Sequence, residues 1–338
     1  MIKLLVSKFR YLSLVALGGI IGLLIISYLH AYQFTHFSDS AAARTDPKNL
    51  TVADKLGLIF TGIQNPRQVD TLLPEANFKV FLIEGDKTLE SWYIPSPQSK
   101  GLILLYHGYA GNKSQMISRA DDLHDMGYST AIIGFRGSGN SEGDYTTIGY
   151  EESSDVVVSY HFYREKFPNQ SIFLFGTSMG AAAVLKALSE ADLAVAGVIL
   201  EYPFGTLYQS VKNRFAVMGF PSFPMAELLT FFGGVQLNFN AFAHNPAEYA
   251  KQVSCPTLYL AGDHDDRVTN EETMTVYQNL AAEDKTLHIF EGGGHESLNE
   301  NFPAAWKRVC ASFLIRAKEN DVGSDRQKPD SRMLQTKL

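Results

Sequence analysis

The sequence predicts an α/β protein built on a mostly parallel sheet covered by helices on both faces, with an apolar helix ahead of it. Three observations carry this. From residue 102 onward, short continuous apolar runs alternate with helical patterns, as expected of strands buried on both faces. Tyr11 to Leu29 carries no charged residue. Apolar residues make up 45% of the 338-residue chain and charged ones 19%, which excludes wholesale disorder.

The charge sum is 29 − 36 = −7, against the basic footprint that nucleic acid requires as a main partner. Two cysteines, Cys255 and Cys310, exclude a disulfide scaffold and a cysteine-based zinc module. One bridge at most could join them.

The run Tyr11–Leu29 has 19 residues, about 28 Å of helix, close to a hydrocarbon core of ~30 Å. Lys3, Lys8 and Arg10 precede it, and the next basic residue is Arg44. The positive-inside rule then puts the N-terminus in the cytoplasm and the rest across the membrane, on a periplasmic or extracellular side. A cleaved signal peptide is the competing reading. Its apolar region should span ~7–15 residues with a small-residue site close behind, whereas Ala41–Ala43 lies well downstream of Leu29. No cysteine follows the run, which excludes a lipoprotein signal.

The expected organisation is an anchor over 1–30, a linker and lead-in over 31–75, a catalytic domain over 76–318 and a disordered tail over 319–338. Phe78–Ile83 and Glu90–Ile94 read as strands around the turn Glu84-Gly85-Asp86-Lys87. Strands follow at Leu102–Tyr106, Thr130–Ile133, Ile172–Phe175, Val195–Leu200, Thr257–Leu260 and Leu287–Phe290. Helical patterns fall at Ser114–Met126, Ile148–Phe167, Ala181–Leu188, Asn270–Leu280 and Phe302–Ile315. The alternation is interrupted over about 203–253. From Phe204 to Phe242 there are 9 aromatics and 3 charged residues in 39 positions. So apolar an insertion reads either as a small helical lobe packing its own core or as a lid over an apolar substrate.

Two segments match G-x-S-x-G, and context separates them. Gly176-Thr177-Ser178-Met179-Gly180 joins an apolar strand directly to the helix beginning Ala181-Ala182-Ala183. Gly139-Asn140-Ser141-Glu142-Gly143 sits in a loop with no helix close behind. Ser178 is therefore the candidate nucleophile. Its hydroxyl needs a base. Of nine histidines, His295 alone follows a late strand through a glycine loop, Gly292-Gly293-Gly294. His244, in the insertion, suits a structural role. The base needs an orienting carboxylate, and Asp263, Asp265 and Asp266 all follow the strand that ends near Leu260. The run Asp263-His264-Asp265-Asp266 invites a metal reading, but adjacent side chains diverge and no second ligand cluster appears, so no metal is expected. Candidate oxyanion donors are the backbone amides of Met179 and of Tyr109, with Gly108 letting the chain turn. Asn112-Lys113-Ser114 is a glycosylation acceptor only in a host that glycosylates, and a glycan there would crowd this loop.

These motifs resemble the α/β-hydrolase superfamily, in the serine-hydrolase branch of BEM46-like, serine-aminopeptidase-like and lysophospholipase-like esterases. The resemblance covers about residues 78–316. His107-Gly108-Tyr109 is similar to the family's oxyanion motif. Phe135 to Gly143 resembles its RGxGxSxG loop, which is structural there and accounts for the second serine motif. The stretch from Pro256 to Val268 resembles its acid-bearing strand and turn, and that register selects Asp265. The chain order Ser178, Asp265, His295 is the superfamily's order. The family often carries aspartate two residues before the Arg-Gly of its loop, where this chain has Gly134.

The resemblance implies an α/β-hydrolase fold and a cofactor-free serine hydrolase; together with the apolar run and the insertion, it leads to the expectation of a membrane-anchored enzyme with a helical lid, cleaving (thio)esters of apolar acyl groups, lipid-like ones included. A serine peptidase would share the triad, but should offer a charged subsite for a peptide end, which the insertion lacks. A non-catalytic tethered interaction protein should have lost a triad member, and none is missing.

Overall fold

The structure, a computed structural model, describes residues 2–38, 51, 54, 57–58, 62–63 and 65–327. Ala41–Ala43 and the stretch 328–338 of the expected tail lie outside the described residues.

Eight strands form one sheet in the order β1-β2-β4-β3-β5-β6-β7-β8. They are β1 (Lys79–Ile83), β2 (Leu89–Ile94), β3 (Leu102–Tyr106), β4 (Ser129–Ile133), β5 (Ile172–Thr177), β6 (Gly197–Glu201), β7 (Thr257–Gly262) and β8 (Lys285–Phe290). The first two strands pair antiparallel to each other, and β2 pairs antiparallel to β4. All pairings from β4 to β8 are parallel. The expected mostly parallel sheet is thus present, with each strand within three residues of its expected ends.

The continuous apolar runs have a direct explanation. Successive side chains of a strand point to opposite faces. On β3, Leu102, Leu104 and Tyr106 join one buried cluster while Ile103 and Leu105 join the other. On β5, Ile172 and Leu174 face the first cluster, and Phe173 and Phe175 the second. With both faces covered, both sides select apolar residues, and buried polar ones such as Ser91 and Glu201 are hydrogen-bonded.

The described helices are α1 (Ile2–Thr35), α2 (Ile117–Asp125), α3 (Glu152–Lys166), α4 (Met179–Glu190), α5 (Leu207–Met218), α6 (Met225–Gln236), the short α7 (Pro246–Tyr249), α8 (Asn270–Asn279), the short α9 (Leu298–Asn301) and α10 (Pro303–Gln327). Helices α3, α4 and α8 supply the first cluster, through Val156, Val184 and Val276 among others. Helices α2 and α10 supply the second, through Leu123, Trp306 and Phe313. The last helix runs to Gln327 rather than stopping near 318. Asp321 accepts a hydrogen bond from the Ser171 hydroxyl at 2.6 Å, a tie that the polar composition does not reveal. Cys255 and Cys310 are free thiols, and burial pushes Cys255 up to about 12.

The chain divides into two compact units. The larger comprises the described residues of 68–143, 148–205 and 246–338 and contains the whole sheet. The smaller comprises those of 1–67, 144–147 and 206–245. Within the smaller unit, α1 continues past the expected end near residue 30. Its last turn is held by Thr146, whose N–H donates to the Thr35 carbonyl at 2.8 Å, one of the carbonyls a helix end leaves unpaired. Helices α5 and α6 make up the body of the insertion. Thr206 caps α5 by accepting from the Gln209 N–H, and Gly219 closes it in the left-handed region at φ 73°.

Candidate active site

Strand β5 ends at Thr177 and α4 starts at Met179, so Ser178 alone reverses the chain between them. It does so at φ 53°, ψ −111°, a conformation that costs a non-glycine residue ~1–3 kcal/mol. The flanking glycines show what holds it there. A Cβ on Gly180 would lie 2.4 Å from the Tyr106 carbonyl oxygen, and one on Gly176 would lie 2.6 Å from the Ala181 nitrogen. Both positions are points of contact between strand and helix backbone, which is why the motif needs glycine there.

The structure brings Ser178, His295 and Asp265 together. His295 Nδ1 lies 2.8 Å from Asp265 Oδ2, and its Nε2 lies 3.1 Å from Ser178 Oγ. A carboxylate only accepts, so Nδ1 carries the proton and Nε2 is left to accept from the serine hydroxyl. The other Asp265 oxygen accepts from the Arg267 and Val268 N–H groups at 2.8 and 2.9 Å. Burial pushes the Asp265 carboxyl up, but the hydrogen bond and charge of His295 and the two backbone donors outweigh it and hold it below its usual value.

Geometry also separates the aspartates. Asp263 Oδ1 accepts from the Gly292 N–H at 2.7 Å. It therefore fastens the loop that carries His295 and does not face the imidazole. Gly292 adopts φ 78°, and a Cβ on Gly262 would fall 2.1 Å from the Gly293 carbonyl oxygen. The two loops approach this closely because both are glycine where they touch. Among the described residues, no group of three His, Cys, Asp or Glu is placed to hold a metal ion.

The loop after β3 lies against the serine. A Cβ on Gly108 would sit 3.6 Å from Ser178 Cβ. The left-handed residue of this turn is Ala110, at φ 48°. Gly108 serves the close approach instead. Met179 opens α4, so its amide is at a helix N-terminus. His107 is structural. Its Nδ1 donates to the Gly108 carbonyl at 2.8 Å, and its Nε2 accepts from the Phe135 N–H at 3.2 Å. That pairing needs a neutral ring, and burial lowers its pKa to about 4. Asn112 is buried, with its amide donating to the Val69 carbonyl and accepting from the Gln115 N–H, so it is no glycosylation acceptor in the folded chain.

Ser141 has no part in this site. Its buried hydroxyl donates to the Gly134 carbonyl at 2.7 Å and accepts from the Glu90 N–H at 2.9 Å. The glycine at 134 has a local reason. A Cβ there would lie 3.0 Å from Ser141 Oγ and 3.2 Å from Lys113 Nζ. Lys113, fully buried, pairs with Asp70 at 2.6 Å and Glu90 at 3.2 Å. Arg136 anchors the same loop on Asp155 and Glu151 at 2.8 and 2.7 Å.

A second buried network escaped the sequence reading. Arg119 donates through Nε to Glu201 at 2.8 Å, and Trp306 Nε1 donates to the other carboxylate oxygen at 2.9 Å. Arg119 Nη2 also donates to the Tyr202 hydroxyl at 3.3 Å, which itself donates to the Glu296 carbonyl at 2.7 Å. The signals were present but faint. Glu201 is a charged residue closing an apolar strand, and Arg119 lies on the buried stripe of α2 with Ala120 and Leu123.

With this geometry in view, the family follows. The sequence pattern of the serine aminopeptidase, S33 family matches residues 97–248 and 239–301. The chain belongs to that family, and with it to the α/β-hydrolase superfamily. It is similar to protein bem46 of Schizosaccharomyces pombe, 22% identical over 89% of this chain and 91% of that protein. It is similar also to the uncharacterized membrane protein YNL320W of Saccharomyces cerevisiae, 24% identical over 82% of this chain and 89% of that one. Among solved structures, the Pyrococcus furiosus esterase Pf2001 shares the fold, with a TM-score of 0.64 and 23% identity over 74% of this chain and 96% of the esterase. The protein is an α/β hydrolase.

Proposed function

We propose that this hydrolase is a membrane-tethered serine esterase acting on carboxylic or thioesters of apolar acyl groups. Ser178 attacks the acyl carbonyl while His295 takes its proton. His295 then returns the proton to the leaving alcohol or thiol, and water releases the acid by the same route. Asp265 orients the imidazole and stabilises its charged form. The amides of Tyr109 and Met179 receive the oxyanion. The observation that carries this reading is the unbroken Asp265–His295–Ser178 relay, at 2.8 and 3.1 Å. The composition of the insertion, with 3 charged residues in 39, supports an apolar acyl group, since few partners exist for a buried charge.

Tethering is assigned to α1. Val6–Thr35 is long and apolar enough to cross a membrane, and the basic residues before Tyr11 favour a cytoplasmic N-terminus. The test is a chain-length series of p-nitrophenyl esters with the wild type and Ser178→Ala. Each buried CH₂ contributes roughly 0.8 kcal/mol. Two further methylenes should thus raise kcat/KM about tenfold until the pocket is full. The family's description favours one rival, an amide substrate. Faster turnover of aminoacyl p-nitroanilides than of butyryl or hexanoyl esters would replace the ester reading with that one.

A further inference from the structure

The smaller unit joins two segments far apart in sequence, the end of α1 and the insertion helix α6. Ser27 Oγ contacts Met225 Sδ at 3.5 Å, and Gln236 Nε2 donates to the Tyr28 carbonyl at 2.8 Å. The Tyr28 and Phe232 rings meet edge-on at 5.6 Å. Gly233 faces Thr35, whose Cγ2 would lie in ordinary contact, 3.8 Å, from a Cβ there. All these contacts fall between residues 27 and 35 of α1, just where its uncharged run Tyr11–Leu29 ends.

Length fixes what that means. Helix α1 has 34 residues, about 51 Å, against a hydrocarbon core of ~30 Å. If Tyr11–Leu29 fills the core, the α6 contacts lie at the outer membrane–water boundary. Tyr28 and Tyr32 are the amphipathic rings enriched at that level. The face that α6 turns away from α1 is apolar and uncovered. Phe231 and Val235, one helical turn apart, are 52% and 56% exposed; Phe242 is exposed in the same groove, and Phe223 is exposed just before the start of α6. A groove of about 490 Å³ lined by Phe231, Val235, Phe239 and Phe242, with Asn238 and Asn240 at its polar side, continues this face. The one charge on α6, Glu227, accepts from the Tyr208 hydroxyl at 2.6 Å.

We propose that the insertion is a second membrane contact: α6 lies in the outer leaflet boundary beside α1, with Phe223, Phe231, Val235 and Phe242 among the lipid chains. This rests on the tethering reading above. The occupant is the bilayer because α6 packs on α1 at the level where that helix leaves the core, and because an apolar face at that depth gains burial from lipid. The consequence for the enzyme is that its insertion samples the compartment where apolar acyl esters dissolve.

The test uses full-length protein in phosphatidylcholine vesicles whose acyl chains are brominated either near the ester or near the chain middle. Bromine quenches tryptophan on contact. The natural Trp92 and Trp306 are both buried, so wild-type emission reports the background. Phe231→Trp and, as a second variant, Val235→Trp should lose emission at least about twofold more than wild type in the lipid brominated near the ester, as expected at ~5–10 Å depth. Ile20→Trp, mid-run on α1, should be quenched more by the mid-chain label. Quenching of Ile20→Trp without quenching of either insertion variant would overturn the proposal and leave the tether standing, as when a second copy of the chain covers the face. No quenching of Ile20→Trp would overturn the tether and the proposal together.

Discussion

The Tyr202 ring packs on the His295 imidazole, their centroids 4.4 Å apart. The contact ties the candidate base to a residue that sequence patterns did not single out. Tyr202 sits at the end of β6 in a left-handed conformation, φ 38°. Its hydroxyl joins Arg119 to the Glu296 carbonyl, the backbone of the residue after His295. Burial raises its pKa, so it stays a neutral donor.

Tyr202 is therefore expected to be a positioning residue. Tyr202→Phe keeps the ring and removes the hydroxyl, at a net cost of ~1–1.5 kcal/mol. Misorientation of the base should lower kcat by about tenfold with little change in KM. A raised KM at unchanged kcat would show that the residue shapes substrate binding instead.

The two G-x-S-x-G serines should separate cleanly. Ser178→Ala should abolish ester hydrolysis and labelling by a fluorophosphonate. Ser141→Ala should keep labelling but lower stability by ~1–3 kcal/mol, because the Glu90 N–H and Gly134 carbonyl lose a buried partner. Loss of labelling in folded Ser141→Ala protein would contradict the assignment.

Asp265→Asn should lower kcat by about four orders of magnitude, the scale at which an imidazole held in the wrong tautomer fails. Asp263→Asn should be milder, since an amide oxygen still accepts from Gly292. There is also a pH signature. The folded Asp265 carboxyl titrates below its unfolded value of ~3.9, so its contribution to stability is present above that value and lost as pH falls through the folded one. The stability gap between wild type and Asp265→Asn should shrink as pH falls below about pH 4. Denaturant midpoints across that range measure it, and a gap that stays constant to the acid end would count against the pairing.

Gly180→Ala should be among the most damaging small substitutions in the chain. The added Cβ would meet the Tyr106 and His107 carbonyl oxygens at 2.4 and 2.7 Å, and both are backbone atoms that cannot rotate away. A loss of several kcal/mol is expected, above the ~0.5–3 kcal/mol of most substitutions. Thermal unfolding of the purified variant, or failure to accumulate it, checks this.

The sequence by itself determined the sheet and the serine. Period and burial are local properties: a strand covered on both faces reads as a near-continuous apolar run, as Leu102–Tyr106 does, and a one-residue reversal from strand to helix needs Gly176 and Gly180 around Ser178. What depends on where distant segments meet was left to the tertiary structure. Composition leaves the three aspartates after β7 alike and the family register selects Asp265, but it is the approach of the β8 loop, Gly293 against Gly262, that puts His295 beside it and leaves Asp263 to hold Gly292. Arg119, Glu201 and Trp306 come from three separate elements, and the buried Arg119–Glu201 charge pair is stable only because the two satisfy each other and the Trp306 N–H takes the remaining carboxylate oxygen. The end of α1 was likewise undecidable locally. Its last turns carry polar side chains, and they stay helical because Thr146 pairs with the Thr35 carbonyl and α6, some two hundred residues later, packs against Tyr28.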